Sequence, residues 1–143
     1  MADTTYMKNE VELWVRDWLA QQFPGYSFSK QSLGLITGGK HEFDAVSQDR
    51  SIIAGIKAHS WKTKSGNLPS GKYAQLYQEL YFLSLAEASK KFLILTNEDM
   101  HKDFVKRSQG KVAKGTDVIF CRLPLQMRVK VEGVQAAASR EQG

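Results

Sequence analysis

The chain carries a single cysteine among 143 residues, Cys121, set in the apolar run Val118-Ile119-Phe120-Cys121. One thiol excludes a disulfide framework and a thiolate zinc site within one chain, and the apolar neighbours of Cys121 mark it as a core residue. Long apolar runs are also missing. No stretch approaches the roughly 18 residues of a membrane-spanning helix, so no membrane partner is expected. The opening residues Met1-Ala2-Asp3-Thr4-Thr5 lack the basic and apolar regions of a secretory signal, and the expected location is cytoplasmic. There is no internal repeat, helix-turn-helix or zinc finger, so any reading of nucleic-acid sequence has to come from loops.

What the chain does contain is ordinary for a folded domain: 42% hydrophobic and 24% charged residues, a balance that excludes a mainly disordered protein. Its length suits one hydrophobic core and is short for two. Residues 1–124 read as a single domain and 125–143, with Ala136-Ala137-Ala138-Ser139-Arg140, as a peripheral helix or flexible tail. Twenty Lys and Arg against fifteen Asp and Glu give a net charge of +5, which favours an anionic partner.

Val11, Trp14, Val15, Trp18, Leu19 and Phe23 recur at spacings of three and four, predicting a helix over about 8–23 that Pro24-Gly25 stops. Short β-like segments follow at about 26–36, 41–47 and 51–60, joined at Gly38-Gly39-Lys40 and at 47–50. A second helix is expected over about 72–88, with Leu76, Leu80 and Leu83 on one face, beside Tyr73, Tyr77 and Tyr81 as packing residues. Lys91-Phe92-Leu93-Ile94-Leu95-Thr96 has the continuous apolar character of a strand buried on both faces. A third helix from Asn97 or Glu98 to about Ser108 and a last strand over about 117–123 complete an α-β-β-β-α-β-α-β order.

The second and third strands hold the residues of most chemical interest. His41-Glu42-Phe43-Asp44-Ala45-Val46 is followed, across a short turn, by Ser51-Ile52-Ile53-Ala54-Gly55-Ile56-Lys57-Ala58-His59. This hairpin places a carboxylate, Asp44, near an ammonium, Lys57, in apolar surroundings, which costs desolvation energy. A cross-strand ion pair of purely structural value is the bland reading. The chemical reading is a carboxylate able to hold a hard metal ion beside a lysine able to orient water or steady a phosphate.

The element order, with Asp at the second strand and x-Lys at the third, resembles the PD-(D/E)XK restriction-endonuclease-like superfamily over about residues 8–123. That resemblance implies an α/β fold with an α-β-β-β-α-β core, a mixed central sheet flanked by helices, and a site where the second and third strands diverge. It also implies Mg2+, with Mn2+ as a substitute, held by the Asp and by an acidic residue two before the Lys, while the Lys assists the attacking water. Asp44 and Lys57 match the family Asp and Lys. Gly55 stands where the second acid belongs, on the same strand face as residues 53 and 57.

Some members of the superfamily move that acid to the following helix, and Glu79 is then the expected second metal ligand beside Asp44. Gln75 and Gln78 lie on the same stretch, and which of the three points inward is open at this stage. Glu12, followed by Val15 and Leu19, resembles the first-helix signature whose Glu faces the site; Glu10 is its rival. The candidate catalytic set is therefore Asp44, Lys57, Glu79 and Glu12.

Between Trp61 and Lys72 the chain is polar and basic, with two glycines and a proline, and is expected to be a loop. Lys62, Lys64 and Lys72 could neutralise phosphates, Trp61 could stack on or wedge between bases, and His59 could contact phosphate. A solvated loop with Trp61 packed on the sheet edge, and a satisfied histidine at a strand end, are the bland counterparts.

The expected function is a metal-dependent endonuclease hydrolysing DNA phosphodiester bonds, as a homodimer if it cuts both strands. The alternatives are a catalytically inactive nucleic-acid-binding module on the same fold, and a protein-interaction domain docking an acidic partner through the basic loop.

Overall fold

The computed structural model describes residues 4–58 and 70–131, with side chains from Met7 and from Gly71 onward in the two segments. The elements run α1 (Thr4–Gln22), β1 (Phe28–Gly34), β2 (Lys40–Ser47), β3 (Ile52–Lys57), α2 (Ser70–Ser84), β4 (Lys90–Leu95), α3 (Glu98–Arg107) and β5 (Thr116–Phe120). A short helix over 125–131, here α4, follows. The five strands form one mixed sheet in the order β1-β2-β3-β4-β5. The pairs β1/β2 and β2/β3 are antiparallel; β3/β4 and β4/β5 are parallel.

Each face of the sheet has its own core because β3 and β4 alternate strictly. Ile52, Ala54 and Ile56 with Phe92 and Ile94 pack under α1, whose Val11, Val15 and Leu19 form the stripe expected from their spacing. Ile53, Leu93 and Leu95 pack on the opposite side against Leu76, Leu80 and Leu83 of α2 and Met100 and Phe104 of α3. Burial of each such leucine contributes about 1.5–3 kcal/mol. Helices on both faces explain why β4 is apolar and buried without interruption from Phe92 to Leu95.

Local chemistry sets the ends of several elements. After α1, Gly25 takes a φ of +91° that a side chain would resist. At α3, the side chain of Asn97 accepts from the Met100 amide at 2.9 Å, an N-cap. Helix α2 stops at Ser84, four residues before the end expected from sequence, where the Leu85 and Ala86 amides close onto Phe82 and Leu83. The final strand also ends early, at Phe120, although the Cys121 amide still reaches the Leu95 carbonyl at 2.9 Å. Cys121 is fully buried, and burial pushes its thiol up to about 12. Helix α4 sends Met127 and Val131 into the core under α1.

One irregularity matters for function. Ser29 pairs with Val46 and Gln31 with Phe43, so Asp44 and Ala45 together stand opposite Lys30. This is a β-bulge in β2. It explains why Phe43 and Val46, three apart, pack into the same core beneath α2, while Ala45 packs on the α1 side.

Candidate functional site

Strands β2 and β3 pair only at Ala45 with Ala54 and at Val46 with Ile53, and beyond the bulge they separate. The backbone amide of Ile56 thereby loses a strand partner, and the Asp44 carboxylate takes it at 2.8 Å. The Asp44 carbonyl in turn accepts from the Arg16 guanidinium of α1 at 2.9 Å. Asp44 is therefore fixed from both sides of the strand. None of the ion pairs among the described residues joins it to Lys57, so the direct cross-strand pair suggested by the hairpin is replaced by a bond to the neighbouring amide.

Glu79 answers the vacancy at Gly55. A Cβ on Gly55 would lie 2.6 Å from Cγ and 2.7 Å from Cδ of Glu79, and closer still to its Oε1. No residue with a side chain fits there while Glu79 stays in place. Glu79 is 5% exposed, and its Oε2 is 3.0 Å from Nε2 of His41. Gln75 and Gln78 are exposed, which settles the choice left open on α2.

The electrostatics of Glu79 follow from this placement. Burial holds its carboxyl above the usual carboxylate range; Lys57 and His41 pull it back down, and the charge of Asp44 pushes it up again. Asp44, Lys57, His41 and Glu79 thus share one electrostatic neighbourhood where β2 and β3 part.

Glu12 lies on the α1 side, 2% exposed. Its Oε1 meets Nζ of Lys30 at 2.8 Å and the Arg16 guanidinium at 3.7 Å, and Oε2 is 3.9 Å from Nζ of Lys8. Arg16 thus contacts both the Glu12 carboxylate and the Asp44 carbonyl. Lys30, raised above the ordinary lysine range chiefly by its bond to Glu12, also feels Asp44 and Glu42. Glu10 is half-buried, with Oε2 lacking a hydrogen-bond partner. Lys72, in the first turn of α2, is half-buried and its ammonium is pulled down by that burial. His59, Trp61, Lys62 and Lys64 lie outside the described residues.

Sequence reasoning assigned no role to His41. Its ring stacks on Phe82 at 4.1 Å with 9° between planes, and meets Phe43 edge-on at 4.7 Å. Simple alternation back from Val46 turns His41 towards α1; the bulge turns it towards Glu79.

Among the described residues, no three of His, Cys, Asp and Glu lie close enough to hold a metal ion between them. An all-protein metal cage is therefore absent from this region. A hard cation needs less, since Mg2+ is commonly held by one or two carboxylates and completed by water and phosphate. Glu79, disfavoured as an anion by burial and by Asp44, is a group whose charge a nearby cation would stabilise. Asp44 and Glu79 are carboxylates of the type such an ion takes.

Comparison with protein-family models, curated proteins and solved structures finds no match to this chain. The fold is an α/β domain with a five-stranded mixed sheet, and no helix among the described residues is long and apolar enough to cross a membrane.

Proposed function

We propose that the protein is a metal-dependent endonuclease that hydrolyses DNA phosphodiester bonds on a restriction-endonuclease-like core. The observation that carries this reading is the Glu79 carboxylate lying over Gly55, beside Lys57 and within the field of Asp44. It supplies an acid where the PD-(D/E)XK pattern lacks one. The core assignment is supported by the antiparallel β1-β2-β3 meander and the parallel β4 that follows α2.

In this reading Asp44 and Glu79 would hold Mg2+ or Mn2+. When bound, the ion polarises a phosphoryl oxygen and acidifies a water. Asp44 is kept in orientation by the Ile56 amide and Glu79 by His41. Lys57 orients the attacking water and stabilises charge developing on the phosphate. The net charge of +5 favours approach of a polyanion. Cleavage of both strands calls for two copies related by a two-fold axis, since one site cuts one bond.

Purified protein incubated with supercoiled plasmid and Mg2+ or Mn2+ is expected to nick or linearise it. Asp44→Ala, Lys57→Ala and Glu79→Ala are expected to abolish cleavage while remaining folded. An inactive wild type, or active variants, would defeat the reading. The lack of three clustered donors among the described residues favours one rival, a DNA-binding module without catalysis. That rival is marked by salt-sensitive binding, with a slope of about −0.9 per phosphate contacted, and no cleavage.

A further inference from the structure

We propose that the protein has a second binding site, a cavity at the carboxyl ends of β3, β4 and β5 that takes a one-ring nucleobase carrying an amino group, cytosine. The site is separate from the residues proposed for hydrolysis and goes beyond that reading.

Its position follows from the topology. Strands β4 and β5 are parallel neighbours, but the chain leaves them towards opposite faces of the sheet. After β4 it enters α3, whose Met100 and Phe104 pack on one face; after β5 it enters α4, whose Met127 and Val131 pack on the other. Neighbouring strands whose connections part in this way leave a crevice beyond their carboxyl ends, the usual binding position in an open α/β sheet. A cavity of about 160 Å3 lies there, with Thr96, Asp99, Phe120 and Arg128 in its lining. Thr96 is 5% exposed. Its amide bonds the Lys57 carbonyl at 3.2 Å, and its hydroxyl has no hydrogen-bond partner among the described residues. A buried hydroxyl left unpaired on a cavity wall favours a polar occupant.

The charges argue against an anion. Glu98 and Asp99 stand in the first turn of α3, where they take up the field that would otherwise attract a phosphate. Glu98 pairs with Arg122 at 2.9 Å, so the lining balances two carboxylates with two guanidiniums. Asp99 makes no ion pair among the described residues, and the Arg128 side chain gives only Nε, to the Leu123 carbonyl at 3.1 Å. A free carboxylate and free guanidinium N–H groups call for a neutral ligand with an amino donor and a carbonyl acceptor. Ala58, Phe120 and Val131 add apolar wall. A cavity of about 150 Å3 accommodates one benzene ring, so size selects a single ring. Cytosine meets each demand, its N4 amino group for the carboxylate and its O2 for Arg128; thymine has no amino group.

The test titrates cytidine and thymidine into the full chain, followed by backbone amide shifts in NMR. Cytidine is expected to shift Thr96 and Asp99 and to bind at least about fivefold more tightly than thymidine. Asp99→Ala and Thr96→Val should each weaken cytidine by about fivefold or more. Asp99 is exposed, so its variant keeps the test meaningful if Thr96→Val does not fold. An oligothymidylate with one internal cytosine, compared with the all-thymidine strand, separates the sources: a preference for the cytosine strand beyond that for cytidine assigns the base to a polynucleotide, and the reverse assigns a free nucleoside. No shift with cytidine or the cytosine strand, equal binding of cytidine and thymidine, or unchanged affinity in Asp99→Ala overturns the inference. Asp44→Ala should leave cytidine affinity unchanged, so a protein that binds cytidine but never cuts plasmid defeats the nuclease reading alone, and one that cuts without binding cytidine or the cytosine strand defeats this inference alone.

Discussion

Gly55→Ala is the sharpest perturbation of this site, because its effect depends on one other side chain. The new methyl would sit 2.6 and 2.7 Å from Cγ and Cδ of Glu79, well inside van der Waals contact. The backbone of β3, paired with β4 at Gly55 and Leu93, has little freedom, so the end of Glu79 has to move. Moving it strains a buried side chain, at about 1–3 kcal/mol for overpacking, and weakens the bond to His41. Gly→Ala also restricts the unfolded chain, an opposing gain of about 0.4–1 kcal/mol. The net expectation is a loss of about 1–2 kcal/mol. In the Glu79→Ala background the obstacle is gone, and Gly55→Ala should be neutral or stabilising. Urea denaturation of the four proteins in the cycle measures the difference directly, with an expected coupling of about 1–3 kcal/mol. Equal destabilisation in both backgrounds, or none in the wild type, would refute the placement of Glu79 over Gly55.

Three further expectations concern single groups. Asp44→Ala strands the Ile56 amide and should cost about 1–3 kcal/mol, whereas Asp44→Asn can keep that bond and should retain most of the stability while losing cleavage; denaturation midpoints beside plasmid assays separate the two roles. Glu79 has a carboxyl raised above its unfolded value of 4.5, chiefly by burial, so the folded state binds its proton more readily and stability falls as pH rises from about the unfolded value through the folded one. Subtracting the pH–stability profile of Glu79→Gln from that of the wild type should reveal this decline, and a flat or rising difference would contradict it. Cys121, fully buried with its thiol pushed up to about 12, should react with a thiol reagent at neutral pH only as fast as the protein unfolds, which a denaturant series of labelling rates checks.

The order of helices and strands was legible in the sequence because periodicity directly records which faces are buried. The α1 stripe of Val11, Val15 and Leu19 and the apolar β4 both pack as their spacing requires. Glycine at position 55 was equally informative, since an absent side chain on a buried strand face asks what fills the space, and Glu79 fills it. Other features depend on contacts between distant segments. Glu12 is turned into an anchor by Lys30 of β1 and by Arg16, and no spacing within α1 reveals a partner on another element. The bond from Ile56 to Asp44 exists because β2 and β3 part after two pairs, a consequence of tertiary geometry. Helix α2 ends early because its last turn is closed by backbone bonds, to which composition is nearly blind.

The extra residue in β2 makes the site sensitive to length as well as to identity. Ala45 and Phe43 face opposite cores only because Asp44 and Ala45 share one position opposite Lys30. Deleting either would regularise the ladder and rotate everything from Phe43 back to Lys40 by half a turn. Phe43 would leave the core beneath α2, and His41 would leave Glu79. A one-residue deletion here would therefore dismantle the pocket while keeping nearly every residue that composes it, so substitutions should be tolerated along this strand far more readily than changes in its count.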